Sequence, residues 1–162
     1  LRVQEDVWKK QFNYIIEIKN DGELGNEAMR ILYDAMIEYG ILNRTVVGTF
    51  NKSVSEYIDE HCPDVIRSAG IAEVLDFYFS CMFNVDLSEK NVKYKVLQIP
   101  YKTFVINLGK KAIIDYAHKY GIAVQYWTIN KAKDIQALTE MGADAIITDD
   151  PKLAYNLIRG NK

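Results

Sequence analysis

Residues 110–151, KKAIIDYAHKYGIAVQYWTINKAKDIQALTEMGADAIITDDP, alternate helix and strand with a punctuating residue at each change. Lys110 to Tyr120 carries apolar residues at helical spacing and stops at Gly121, a residue suited to the left-handed conformation that closes a helix. Ala123 to Ile129 follows as an apolar strand, and Asn130 is placed to cap a second helix over Lys131 to Met141. Gly142 closes that helix before a strand at Asp144 to Thr148, and Asp150 with Pro151 has the chemistry of a further helix start, Asp at the cap and Pro in the first turn.

The same unit recurs upstream. Asn13 to Lys19 (NYIIEIK) is a β-branched run, and Asn26 to Tyr39 places Met29, Leu32, Tyr33, Met36 and Ile37 at helical spacing before Gly40. Thr45 to Phe50 reads as a strand, Ser53 to His61 as a short helix closed by Pro63, Val65 to Ala69 as a strand and Ala72 to Phe83 as an aromatic-rich helix. Within that helix Phe77, Tyr78, Phe79 and Phe83 are expected in the core. Tyr94 to Ile99 is a strand ended by Pro100. Five or six strands alternating with helices predict a parallel α/β sheet. Two architectures fit the alternation: an open doubly wound sheet, which closes within about 150 residues, and a (β/α)8 barrel, which takes about 250. No glycine-rich phosphate loop follows any strand to favour the first.

At 162 residues the chain is long enough for one well-buried domain. Its 20 Lys and Arg against 22 Asp and Glu give a net charge of -2, so no nucleic-acid or anionic-lipid partner is expected. Cys62 and Cys81 have no metal-ligand spacing and make no disulfide framework. No apolar run approaches the roughly eighteen residues that span a bilayer. The first residues, LRVQEDVWKKQ, are mixed and charged, unlike a signal peptide. With no initiator Met, the chain is expected to be a segment of something longer.

Chemistry is sought at strand C-terminal ends, where both architectures put it. Side chains alternate faces along a strand, so Glu17 and Lys19 share one face with Asn13 and Ile15, opposite an apolar face of Tyr14, Ile16 and Ile18. They are expected on the inner face, either as a structural ion pair or with Glu17 on a hard divalent cation and Lys19 on an anionic group of a ligand. Gln125, Trp127 and Ile129 share a face of the late strand, where an inward Trp serves a pocket or the core equally well. His61 and His118 lie near helix ends that lead into strands, at the end of the sheet opposite the chemistry.

These residues resemble the glycerophosphodiester phosphodiesterases, metal-dependent TIM-barrel enzymes. IIEIK at 15–19 is similar to that family's Glu-x-Lys strand, VVGTF at 46–50 to a strand ending in Ser-Phe, and LQIP at 97–100 to its Gln-x-Pro segment. Residues 117–151 resemble its Trp-Thr-(Val/Ile)-Asn, Leu-x-x-x-Gly-(Val/Ala)-Asp and Thr-Asp-x-Pro series. The resemblance implies a parallel (β/α)8 barrel, here incomplete, with residues 1–162 forming the C-terminal part of one barrel domain. It implies hydrolysis of a glycerophosphodiester to an alcohol and glycerol 3-phosphate, with Glu17 a ligand to Mg2+ or Ca2+ and Lys19 catalytic, offsetting charge on the phosphate. Trp127, Phe50 and Gln98 are implied to bind substrate.

The family's His-Arg-Gly strand, Glu-Asn-Thr segment, Glu-x-Asp metal pair and His-Asp strand end do not occur in the chain. It covers roughly the C-terminal two thirds of the domain, and such a piece is expected to be inactive alone and to self-associate through its unpaired strand edge. The competing expectations are a non-catalytic partial barrel acting as a scaffold and an unrelated open-sheet binding domain.

Overall fold

The computed structural model describes residues 12–102 and 106–159, which divide into two compact units, one ending at Ile71 and one beginning at Ala72. In the first, strand β1 (Tyr14–Glu17) leads to helix α1 (Gly22–Glu38), a 3-10 turn (Leu42–Arg44), β2 (Thr45–Gly48), α2 (Lys52–His61) and β3 (Ile66–Arg67). The strands run parallel in the order β1, β2, β3, with Ile15 beside Val46, Glu17 beside Gly48 and Val47 beside Arg67.

Alternation along β1 sends Ile18 into a core with Met29 and Met36 of α1, Val47 of β2 and Val54 and Ile58 of α2. Helix α1 begins at Gly22, four residues before the expected Asn26, because Asp21 caps it by accepting a hydrogen bond from Gly22 N at 2.7 Å. The added turn is tightly packed: a Cβ on Gly25 would stand 2.4 Å from Asn20 O and 2.6 Å from Val54 Cγ2. Under β3, Arg67 is 2% exposed and its guanidinium grips both carboxylate oxygens of Asp59 on α2 at 2.6 and 2.7 Å.

The second unit takes α3 (Ile71–Met82) after its first residue, then a 3-10 turn (Leu87–Glu89), β4 (Val96–Pro100), α4 (Lys111–Lys119), β5 (Ala123–Trp127), α5 (Ala132–Met141), β6 (Ala145–Ile146) and α6 (Pro151–Arg159). These strands are also parallel, in the order β4, β5, β6. Leu97 and Ile99 alternate with Gln98, and Val124 and Tyr126 with Gln125, so each strand packs its aliphatic face into a core completed by Ile113, Ile114, Ile135 and Leu138. Gly121 and Gly142 follow α4 and α5 with φ of +68° and +94°, the left-handed closures expected.

Three local expectations change. Pro100 lies inside β4 rather than ending it: the missing N–H is accommodated at the strand's last residue, beside Trp127. Asn130 does not cap α5. Lys131 takes that position without a side-chain bond, while the Asn130 amide is engaged elsewhere. Of the four aromatics only Phe77 is buried, against Tyr116; Phe79 on another face of α3 and Phe83 just past its end are exposed.

Candidate functional site

Each unit brings a group of the expected residues to the C-terminal ends of its strands. In the first, alternation along β1 carries Glu17 and Lys19 to the face opposite Ile18, and Lys19 Nζ stands 3.8 Å from Glu17 Oε2. The two therefore face each other, as the spacing predicts. Neither is sequestered: the side chains are 40% (Glu17) and 80% (Lys19) exposed, and Ile15 on the same face is also open to solvent. With both side chains reaching solvent, the full desolvation cost of burial does not arise.

Phe50 lies two residues beyond Gly48, the β2 partner of Glu17, and is 52% exposed. The next residue, Asn51, donates from its side-chain amide to the carbonyls of Lys19 and Asn20 at 3.0 and 2.9 Å, joining the loop after β2 to the loop after β1. Asp21 continues the arrangement. Its carboxylate accepts from the Ser53 hydroxyl and from Gly22 N, and these two bonds hold its pKa below the ordinary carboxylate value. Sequence reading passed over Asn51, Asp21 and Ser53; the available signal was a polar residue directly after each strand end, where a loop needs capping groups.

In the second unit Gln98 and Gln125 are register partners, and Gln98 Nε2 donates to Gln125 Oε1 at 2.9 Å. Two residues on, Pro100 pairs with Trp127. Beyond them opens a hollow of about 500 Å3, whose walls include Tyr101, Lys102, Trp127, Asn130, Lys131 and Asp134. Asn130 shapes it through three side-chain bonds. Its Oδ1 accepts from Thr148 Oγ1 and Asp149 N, both at 2.9 Å, and its Nδ2 donates to Asp149 Oδ2 at 2.8 Å. The loop after β5 is thereby stitched to the loop after β6, while Asp150 caps α6 by accepting from Leu153 N at 2.9 Å.

Glu17, Lys19 and Phe50 thus belong to the first unit, and Gln98 and Trp127 to the second. The histidines stay away from both groups. His61 stacks on Tyr57 at the end of α2, and His118 Nε2 meets Asp144 Oδ2 at 2.8 Å beside the start of β5. Among the described residues, no group of three or more His, Cys, Asp or Glu side chains is placed to hold a metal ion. Glu17 offers one carboxylate, already facing an ammonium, where Ca2+ or Mg2+ takes about six oxygen ligands. The described residues alone do not fit the ion.

A model of the glycerophosphoryl diester phosphodiesterase family matches residues 3–153. A glycerophosphodiester phosphodiesterase of Caldanaerobacter subterraneus is 23% identical over 158 residues, covering 97% of this chain and 60% of the relative. The crystal structure of a glycerophosphodiester phosphodiesterase from Parabacteroides distasonis superposes with a TM-score of 0.71 at 17% identity, over 98% of this chain and 62% of that one. One from Agrobacterium tumefaciens gives 0.66 at 15%, over 96% of this chain and 59% of that one. The chain therefore spans about three fifths of the length of these relatives. Their fold is the TIM barrel, and the two parallel three-stranded sheets with their helices are an incomplete form of it.

Proposed function

The chain belongs to the glycerophosphoryl diester phosphodiesterase family, and from that premise we propose that the protein hydrolyses glycerophosphodiesters to an alcohol and glycerol 3-phosphate. The observation that carries the reading is the extent of the family match, residues 3–153, which takes in the Glu17 and Lys19 strand and the Trp127 strand together.

Lys19 is assigned to the phosphate. Its ammonium is a compact charge on a flexible stem, held at the strand end by a backbone that Asn51 fixes on the far side of the loop. Negative charge on the phosphoryl oxygens grows as the bond to the alcohol breaks, so a cation placed there stabilises the transition state more than the bound diester. Trp127 presents an apolar ring surface suited to the carbon skeleton of the glycerol or alcohol half, and Phe50 is assigned a like role beside Lys19. Gln98 spends its amide N–H on Gln125 and keeps its carbonyl oxygen for a substrate hydroxyl. Glu17 would supply a single carboxylate to Mg2+ or Ca2+, an ion that the described residues alone do not hold.

A second reading is a non-catalytic partial barrel that associates with copies of itself. It is favoured by one observation: among the described residues β1 pairs only with β2, which leaves its other edge open. Incubating the whole protein that carries this chain with glycerophosphocholine and Mg2+ or Ca2+, and measuring glycerol 3-phosphate with and without chelator, separates the two. Chelator-sensitive release supports hydrolysis. A whole protein that is folded, releases none and is found by light scattering as an oligomer overturns hydrolysis in favour of the scaffold.

A further inference from the structure

The hollow beside Trp127 is walled by two lysines from separate loops. Lys102 stands at the exit of β4, where an antiparallel bridge to Asn107 and a hydrogen bond from Gly109 N to Tyr101 O at 2.9 Å hold the backbone. Its Nζ sits 4.6 Å from the centroid of the Tyr101 ring, and Tyr101 in turn packs edge-on against the buried Tyr126. Lys131 comes from the exit of β5, one residue beyond Asn130 and its bonds to Thr148 and Asp149. Among the described residues neither ammonium is within ion-pair distance of a carboxylate. Asp134, the one acidic side chain in the wall, leaves an excess of one positive charge.

We propose that Lys102 and Lys131 form an anion subsite in this hollow, and that the preferred substrate is a diester whose alcohol half carries a phosphate or carboxylate of its own. The assignment rests on the reading of Trp127 as lining the alcohol end. Two cations in one wall attract a compact anion through charge, and the volume of about 500 Å3 admits a small polyol phosphate with the ring of Trp127 along its carbon skeleton. A cationic alcohol such as choline gains nothing there and meets two like charges.

The first test is calorimetric titration of inorganic phosphate into the Lys19→Met chain, where Lys19 cannot supply the binding. The dissociation constant should rise about tenfold on adding Lys102→Gln with Lys131→Gln, fall several-fold on adding Asp134→Asn, and rise with salt. Absent phosphate binding, or binding indifferent to all three substitutions, overturns the subsite. The second test separates a free anion from a diester: the ratio of kcat/KM for a diester with a phosphorylated alcohol to that for glycerophosphocholine should exceed one and drop about tenfold in the double lysine variant. A ratio that the lysines leave unmoved overturns the substrate assignment. A whole protein that binds phosphate in this way but cleaves neither diester refutes the hydrolase reading and leaves the anion subsite standing.

Discussion

The side-chain amide of Asn51 reaches across 32 residues of sequence to the carbonyl of Lys19, at 3.0 Å, and bonds the carbonyl of Asn20 as well. Two loops that end neighbouring strands are thereby fixed to each other. Each such bond is worth about 1 kcal/mol net. Asn51→Ala should lower unfolding free energy by about 1–2 kcal/mol, and amide exchange should rise at residues 19–22. Unaltered exchange there would show that the loop after β1 is held by other contacts.

Arg67 and Asp59 make the most buried ion pair described here, with the arginine side chain 3% exposed and the aspartate 27%. Removing the carboxylate takes two short charge-assisted bonds from the buried Arg67 guanidinium, so Asp59→Ala should cost about 2–3 kcal/mol by urea unfolding. The double variant Asp59→Leu with Arg67→Met should recover part of that loss, since it removes the buried guanidinium together with its carboxylate. A loss below about 0.5 kcal/mol in the single variant contradicts this.

Gly25→Ala sets two effects against each other. Helix propensity favours alanine by about 1 kcal/mol. The new Cβ would lie 2.4 Å from a backbone oxygen, Asn20 O, which cannot swing aside as a side chain could. Overpacking of this kind costs about 1–3 kcal/mol, so a net loss is expected in thermal or urea unfolding, and a stabilised variant contradicts the close approach of α1 to the loop carrying Lys19.

Burial pushes the Tyr116 phenol up to about 12 and shifts Tyr126 upward in the same direction. Below pH of about 10 both folded and unfolded chains keep these protons. Between about 10 and 12 the unfolded chain ionises first, binds fewer protons than the folded one, and stability falls as pH rises. Urea midpoints measured across that window should fall more steeply for the natural chain than for Tyr116→Phe. Equal slopes would rule out a contribution from Tyr116.

In an enzyme that cleaves the diester, Lys19→Met should lower kcat more than it raises KM, because the ammonium matters most as charge builds on phosphorus. Glu17→Gln should raise the metal concentration needed for half-maximal rate. A Lys19→Met enzyme changed in KM alone would reduce the lysine to a binding group, and an unshifted metal dependence would remove Glu17 from the ion.

Among the described residues, periodicity and cap chemistry locate the strands and α-helices, because the alternating faces of β1, β4 and β5 and the helical spacing of Met29 and Met36 both report burial; the 3-10 turns at Leu42–Arg44 and Leu87–Glu89 carry no such signal. Boundaries were less legible. The four residues before Asn26 joined α1 through the Asp21 cap, a polar local interaction that leaves no hydrophobic trace. The facing of Glu17 and Lys19 followed from alternation alone. Their openness to solvent did not, since it depends on what other segments bring over β1. Asn130 misled for a similar reason: a helix cap and a stitch to Asp149 ask for the same amide, and only the arrival of the loop after β6 decides between them.

That stitch has a mechanical consequence. With one amide shared by both loops, Trp127 and the first turn of α6 hang from a common pivot. A shift of the Asn130 side chain should therefore be felt at Thr148 and Asp149 together, and Asn130→Ala should loosen the starts of α5 and α6 in the same amide-exchange experiment.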